Sequence, residues 1–243
     1  MFPGFASRVK EEIRKKNYKY HFNKVNNPLI VLPDGEGTDD EDLYNLVNIL
    51  NQETSKQNGY SHVIKEDRTN IFKKHVEGSP VILIKSITTL PHPSHIVYKA
   101  ITDLKIRRQW DKVFSELKCI ENEGAETGEI LYMIIKAPGV FANRDFVQRK
   151  KVWKNYPDPT STLIHFVSVE HPHFPAQKKL VRAETIISGY YLKDYGDGRT
   201  LLVIISQTDI KGNIPSSVVN KFAPSSSKDW IESLHKGCQM FRF

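Results

Sequence analysis

The chain has 243 residues and a net charge of +7, with 39% hydrophobic and 26% charged residues. A content of 3 Trp, 10 Tyr and 12 Phe excludes a disordered chain, and the length excludes a miniprotein held together by disulfides. Apolar runs such as Leu201–Ile205 are far shorter than the roughly 18 residues that a membrane-spanning helix needs. Because the N-terminus also lacks the hydrophobic core of a signal peptide, we expect a soluble chain.

The charge is distributed unevenly. Residues 8–24 hold seven Lys or Arg and two acids, residues 34–42 hold six acids, and residues 136–154 hold six Lys or Arg. Basic clusters favour anionic partners such as nucleic acid or an anionic membrane surface, although most charged runs are simply solvated.

The first half of the chain alternates helices and strands. We interpret residues 1–37 as a basic extension outside the core, and Thr38, followed by Asp39, Asp40 and Glu41, as the cap of an amphipathic helix over 39–51. A short helix is expected after Pro93, with its apolar residues on one face. Strands are predicted over 60–66, 70–76 and 81–88.

The middle of the chain has a β pattern throughout. Six strands are predicted, over 114–121, 129–136, 144–153, 162–169, 180–192 and 200–209. The strand over 144–153 is unusual for a core strand, because Phe146, Gln148 and Lys150 share one face. Apolar lining with a few inward polar groups is what a pocket for an amphipathic ligand needs.

The C-terminus becomes helical again. Pro215 suits the first helical turn, Pro224 is expected to interrupt the helix, and Ser226 with Asp229 predicts a second start. An antiparallel sheet with helices at its ends follows from this order, which places the chain in the α+β class.

The sequence contains few signs of catalysis. The motifs of serine hydrolases, zinc proteases, P-loop proteins and dinucleotide-binding proteins do not occur, and the nine histidines are scattered. We therefore expect no metal, no cofactor and no enzymatic activity. No motif for nucleic-acid recognition occurs either. The two cysteines lack a ligand spacing and are interpreted as buried thiols in a reducing compartment.

Several motifs in one order resemble the START domain, a family of lipid-transfer proteins. They are Arg107-Arg108-Gln109-Trp110-Asp111, Asn143-Arg144-Asp145-Phe146-Val147, Leu180-Val181-Arg182-Ala183-Glu184, Gly189-Tyr190, Asp209-Ile210-Lys211-Gly212 and Cys238-Gln239. The resemblance covers residues 40–243 and implies a helix-grip fold over 38–243. In this fold a curved antiparallel sheet is closed by a long C-terminal helix around a tunnel for one lipid.

Within that family the motifs are most similar to the phosphatidylcholine-transferring branch. The resemblance implies a phospholipid ligand whose phosphate binds Arg107 and whose choline would face Met133, Phe146 and Ile186. The full set of predicted ligand contacts is Arg107, Met133, Ile135, Phe146, Gln148, Ile186, Tyr190 and Phe222.

The resemblance also implies a lid loop over residues 137–142. Val140 and Phe141 are expected to contact a membrane, with Lys136 and Lys151 facing its anionic surface. We expect a cytoplasmic monomer, peripheral at membranes and without a nucleic-acid partner. The sequence leaves open whether the chain is part of a longer protein.

Three alternatives stay open at this point. One is a carrier for sterol or another single lipid. The second is a helix-grip enzyme acting on a hydrophobic substrate, for which His165 is the best candidate acid or base. The third is a nucleic-acid or protein adaptor that uses the basic extension.

Overall fold

The computed structural model of the chain describes residues 41–122, 128–137, 139 and 141–240, apart from the side chain of Asp42. The predicted extension over 1–37, the cap at Thr38 and the loop residue Val140 lie outside the described residues. The division into an extension and a domain over 38–243 therefore stays a prediction.

The described residues confirm the α+β class. Their helices and strands are α1 (Glu41–Asn51), β1 (Tyr60–Lys65), β2 (Thr69–Lys74), β3 (Leu83–Leu90), α2 (Ser94–Thr102), α3 (Leu104–Trp110), β4 (Phe114–Asn122), β5 (Glu129–Ile135), β6 (Arg144–Lys154), β7 (Ser161–Ser168), β8 (Val181–Arg182), β9 (Glu184–Asp194), β10 (Thr200–Asp209) and α4 (Ser216–Met240).

All strands of the described residues belong to one sheet with the order β1-β2-β3-β10-β9-β7-β6-β5-β4, and β8 lies beside the start of β6. Pairing is antiparallel except between β6 and β8. The edge strands are β1 and β4, and the register of each shifts at a bulge or irregularity. The predicted strand over 180–192 is divided into β8 and β9 at Ala183.

The two faces of the sheet are buried against different helices. Leu163, Tyr191 and Val203 belong to the cluster around α1, whereas Ile164, Tyr190 and Leu202 belong to the cluster around α2, α3 and α4. Neighbouring residues of one strand thus enter opposite clusters, as the two-residue repeat of a strand requires. We call the face that α2, α3 and α4 cover the inner face.

The helix α1 packs on the face opposite the inner face. Its predicted apolar residues Leu43, Leu46, Val47 and Leu50 are all buried, which confirms its amphipathic pattern. Leu46 approaches the backbone of β9 at Gly189, where an added Cβ would lie 2.6 Å from Leu46 Cδ1. Glycine at this position is therefore a condition for the close packing of α1.

The predicted single short helix after Pro93 is two helices. Asp103 ends α2 and caps α3, and its side chain accepts hydrogen bonds from Lys105 N at 2.9 Å and Ile106 N at 3.1 Å. An aspartate at this position satisfies backbone donors that the start of a helix leaves unpaired. The chain can therefore turn between two helices without exposing buried polar groups.

The expected interruption at Pro224 is wrong, because α4 runs continuously from Ser216 to Met240 with Pro224 inside it. Proline removes one intrahelical hydrogen bond. The side chain of Asn220, one turn earlier, ties this part of the helix to the residues that lead into β3: it accepts from Ile82 N at 3.0 Å and donates to Pro80 O at 3.1 Å. Tertiary contacts of this kind hold a helix together where local propensity would end it.

A second correction concerns the thiols. Both cysteines are free, but Cys119 is exposed on the edge strand β4 and only Cys238 is buried. An edge strand leaves one side open to solvent, so a residue of a β pattern there need not be buried.

A buried lysine fastens the end of α1 to the sheet. Lys85 Nζ on β3 donates hydrogen bonds to the carbonyl oxygens of Ile49, Leu50 and Gln52 at 3.0, 2.8 and 2.8 Å. These carbonyls lie at the C-terminal end of a helix, where a cation is favourable. Burial first, and the charge of Lys74 second, lower the pKa of Lys85 to about 7.

The lowered pKa predicts a stability profile. An unfolded lysine has a pKa of about 10.4, so between pH 7 and about 10 the unfolded chain binds more protons and stability rises with pH. We expect Lys85→Met to remove a slope of up to about 1.4 kcal/mol per pH unit from the unfolding free energy. Urea unfolding at pH 6 to 9.5 measures this. Lys65→Met, at an exposed site on β1, should keep the slope, and an unchanged slope in Lys85→Met would contradict the prediction.

Candidate functional site

Strands β5 and β6 bring the predicted pocket residues together on the inner face. Met133 lies opposite Phe146, Ile135 opposite Arg144, and Leu131 opposite Gln148. Met133 and Phe146 are buried in the inner cluster, and Ile135 packs against it. The strand over 144–153 therefore has the predicted mixed face, with apolar and polar side chains directed toward the same helices.

Arg107 lies at the end of α3 with a side chain only 12% exposed. Its Nε donates to Asp111 Oδ2 at 3.3 Å and its Nη1 to Ile101 O at 3.4 Å. A guanidinium has five N–H donors, so these contacts leave donors available for a ligand.

Aromatic side chains surround Arg107. The guanidinium carbon lies 5.3 Å from the centre of the Phe114 ring and 5.9 Å from that of Trp230. Tyr190 stacks on Trp230 at 5.3 Å and meets Phe166 edge-on at 5.7 Å. These rings form a wall on the inner face against which the cation of Arg107 rests.

Burial affects the acidity of Tyr190. Removal from water raises the pKa of its hydroxyl, and the nearby Arg107 opposes this rise. The hydroxyl is therefore neutral at physiological pH and acts as a hydrogen-bond partner.

Two further polar contacts lie on the inner face. Gln148 Nε2 donates to Thr185 Oγ1, and Lys150 Nζ pairs with Glu129 Oε2 at 2.5 Å. Gln148 and Lys150 are 8% and 6% exposed, so both polar groups are satisfied in a largely dry environment. The sequence had placed these two residues on this face, but it contained no sign of their partners, which come from β5 and β9.

Other residues that the sequence predicted for the site lie away from the aromatic wall around Arg107. Ile186 follows Thr185 where the register between β9 and β10 shifts, and it is not part of the inner cluster. Phe222 on α4 is 56% exposed. Lys151 pairs in register with His165, seven residues from Arg144 and thus about 23 Å along the strand. Lys151 is therefore not close to the loop that contains Phe141.

Ala142, in the loop before β6, is tied through Arg144 to the segment that leads into α4. Arg144 donates to the carbonyl oxygens of Ala142 at 2.6 Å, Ile210 at 3.2 Å and Lys211 at 3.1 Å. Burial lowers the pKa of Arg144. The loop and the start of α4 thus meet at one end of the molecule, which we call the loop end.

Exposed apolar side chains gather at the loop end. Phe141 is 42% exposed, Val218 on α4 is 41% exposed, and Phe222 lies one turn further along the same side of the helix. Val113 is also exposed, and its carbonyl accepts from Lys136 N at 3.0 Å. Lysines of this region are Lys112, Lys136, Lys211 and Lys221, all of them exposed.

The candidate acid or base of the enzyme alternative is not on the inner face. His165 pairs in register with Gly189, whose position contacts Leu46 of α1. The neighbours of His165 along β7 are Ile164 and Phe166, and both belong to the inner cluster. The described residues contain no group of three or more His, Cys, Asp or Glu placed to hold a metal ion.

An antiparallel sheet gripped by a long C-terminal helix, with an aromatic wall between them, defines a helix-grip protein. A family model described as the START domain matches residues 48–242. The chain therefore belongs to the START domain family of lipid-transfer proteins. None of the helices among the described residues has the length and apolarity to cross a membrane.

Curated relatives support the same family. Human START domain-containing protein 10 is 28% identical over 146 residues, which are 60% of this chain and 49% of that protein. Human StAR-related lipid transfer protein 13 is 30% identical over 176 residues, which are 71% of this chain and 15% of that protein. The chain thus spans about half of the first relative's length and a smaller share of the second.

Solved structures share the fold. The crystal structure of human STARD10 matches with a TM-score of 0.75 at 23% identity, covering 87% of this chain and 82% of that chain. Human StAR-related lipid transfer protein 5 matches with a TM-score of 0.72 at 19% identity, covering 82% and 94%. These matches confirm the helix-grip architecture that the sequence motifs implied.

The contact between α3 and α4 can be tested at Gly237. An added Cβ there would lie 2.5 Å from Trp110 Cγ, so Gly237→Ala overpacks the site at a cost of about 1–3 kcal/mol. Alanine also gains about 1 kcal/mol of helix propensity. We expect a net loss of about 1 kcal/mol in urea unfolding. Lys236→Ala, at the exposed neighbouring position, should be neutral, and a stabilised Gly237→Ala would rule out the close contact.

Proposed function

We propose that the chain is a carrier, not an enzyme, that binds one glycerophospholipid with a phosphatidylcholine-like head group and moves it between membranes. The acyl chains lie against the inner face, and the phosphate binds Arg107. One observation carries the proposal: a largely buried guanidinium with spare donors lies beside an apolar wall. Membership of a lipid-transfer family supports the class of ligand.

The physical reason for such a carrier is the cost of solvating acyl chains. A two-chain lipid exposes about 30 methylene groups in water, at about 0.8 kcal/mol each, or roughly 25 kcal/mol in total. An apolar interior removes most of this cost, and Arg107 compensates the charge of the phosphate that enters with the chains. The remaining predicted contacts, including Ile186 and Phe222, stay part of the proposal to be tested by substitution.

The location of His165 favours a carrier over an enzyme. Its strand neighbours face the aromatic wall while His165 pairs with Gly189 on the side of α1. A general acid or base must come within hydrogen-bond reach of the reacting group. A ligand on the inner face is separated from His165 by the thickness of the sheet.

A sterol or another lipid with a single hydroxyl is the second candidate. The pair of Lys150 and Glu129 supports it, because a buried cation and a half-buried carboxylate on the inner face could bond to one hydroxyl. Lipid extraction from the purified protein, followed by mass spectrometry, separates the two candidates. A co-purified phospholipid supports the first candidate, and a sterol supports the second.

Arg107 gives the direct test of the phospholipid carrier. Arg107→Ala is expected to reduce transfer of phosphatidylcholine between vesicles at least tenfold, because a buried phosphate would lose its charged partner. Transfer of fluorescent phosphatidylcholine measures the effect. Arg108→Ala, at the exposed neighbour on α3, is the matched control and should transfer normally. Undiminished transfer by Arg107→Ala would remove Arg107 from the site.

The proposal includes transient contact with an anionic membrane through the loop end. Exposed apolar side chains there are accompanied by exposed lysines, and each lysine near an anionic surface contributes about 1 kcal/mol. Val140 and Lys151 were also expected to take part; Val140 is outside the described residues, and Lys151 lies far from the loop. The carrier acts as a cytoplasmic monomer without a nucleic-acid partner.

Substitution of the exposed aromatics tests the membrane contact. Phe141→Ser and Phe222→Ser are each expected to weaken binding to phosphatidylserine-containing vesicles five- to thirtyfold, which corresponds to about 1–2 kcal/mol of lost apolar burial. Vesicle sedimentation measures binding. Tyr195→Ser is the matched control, because Tyr195 is 45% exposed but lies beyond the opposite end of β9. Equal losses in all three variants would contradict a specific contact at the loop end.

A further inference from the structure

Asp111, the residue directly after α3, hydrogen-bonds to two side chains of the site, Arg107 on α3 and Trp230 on α4. Its Oδ2 accepts from Arg107 Nε at 3.3 Å and from Trp230 Nε1 at 3.1 Å. The residue is 4% exposed. One carboxylate oxygen thus orients the guanidinium on α3 and the indole on α4.

The pair of Arg107 and Asp111 has no net charge. Their side chains are 12% and 3% exposed, so both charges are largely removed from water. Among the described residues, Asp111 is the carboxylate within 4.0 Å of Arg107. Charges in a low-dielectric interior are costly unless they are balanced, so a ligand that brings a net charge leaves an imbalance and a zwitterion does not.

Two other cations on the inner face, Lys150 and Arg144, bond to groups other than Arg107 and Asp111. Lys150 is paired with Glu129 at 2.5 Å. Arg144 is held by the backbone carbonyl oxygens of Ala142, Ile210 and Lys211 at the loop end. The charge that an incoming phosphate meets at Arg107 is therefore set mainly by Asp111.

The orientation of Arg107 does not depend on Asp111 alone. The guanidinium also rests on the rings of Phe114 and Trp230 and donates to Ile101 O. An asparagine at 111 would keep an oxygen acceptor of the same size while removing the negative charge. The charge of the site can therefore be altered separately from its shape.

We propose that Asp111 is a positioning residue that selects the net charge of the lipid head group. By neutralising Arg107 it favours a zwitterionic phospholipid, in which the phosphate approaches Arg107 and the amine lies toward Asp111, over an anionic phospholipid. This inference rests on the proposed phospholipid carrier.

The experiment loads the purified full chain from vesicles that contain equal amounts of phosphatidylcholine and phosphatidic acid. Bound lipid is extracted and both classes are quantified by mass spectrometry. The wild-type protein is expected to hold at least tenfold more phosphatidylcholine. Because both lipids come from the same vesicles, attraction of the protein to the membrane affects them equally.

Asp111→Asn is expected to shift the loading ratio at least tenfold toward phosphatidic acid, with total loading kept within twofold. Asp103→Asn is the matched control: it makes the same change at the other end of α3, where asparagine caps a helix equally well. Its ratio should equal that of the wild type. Arg107→Gln leaves Asp111 as an unbalanced anion and should reduce phosphatidic acid loading more than phosphatidylcholine loading.

The outcomes distinguish a failure of the proposed role of Asp111 from a failure of the proposed phospholipid carrier. A loaded Asp111→Asn protein whose ratio stays within twofold of the wild type overturns the role of Asp111, and so does a wild-type protein that holds both lipids equally. If Asp111→Asn does not fold, the Arg107→Gln ratio decides: an equal loss of both lipids overturns the role. A wild-type protein that loads neither lipid overturns the phospholipid carrier itself.

Discussion

The continuous ten-stranded sheet has apolar residues on both faces, and burying both is the constraint on which the rest of the structure depends. The hydrophobic effect requires a cover on each side. On one side α1 packs closely enough that Leu46 contacts the backbone at Gly189. On the other side three helices cover a face that also contains polar residues. Both sides are hydrophobic core, but on the inner face Arg107, Gln148 and Lys150 each need a partner.

Two cations of the inner face, Lys150 and Arg107, each have a carboxylate partner. Lys150 is matched by Glu129 across β5 and β6, and Arg107 by Asp111 within one helical turn. Unpaired charges would be costly there. A balanced interior with spare donors at Arg107 can accept a polar group without first breaking a strong contact. This property links the fold to the proposed choice of ligand.

Much of this arrangement follows from local sequence patterns. The two-residue repeat of the strand over 144–153 predicted that Phe146, Gln148 and Lys150 share a face, and the structure has them so. The spacing of leucines predicted α1. These features were predictable because each depends on neighbours in the chain. The resemblance to the START domain implied that the long C-terminal helix closes the antiparallel sheet, which local patterns do not contain.

Features that depend on distant contacts could not be predicted in the same way. Pro224 looked like a helix end because its support, the bond of Asn220 to Ile82, joins residues 138 positions apart. The register shift against β10 at Ile186 could not be predicted either, because it depends on how two strands pair. Asp111 was visible only as a member of a motif, since its second partner, Trp230, is 119 positions away.

The irregular pairing of both edge strands affects the tendency of the protein to associate with itself at high concentration. Shifts in β1 and β4 interrupt the straight row of backbone donors and acceptors that another chain would need for edge-to-edge association. The open sheet is thereby less able to pair edge to edge with other copies of the chain, even though each outermost strand has a neighbour on one side only.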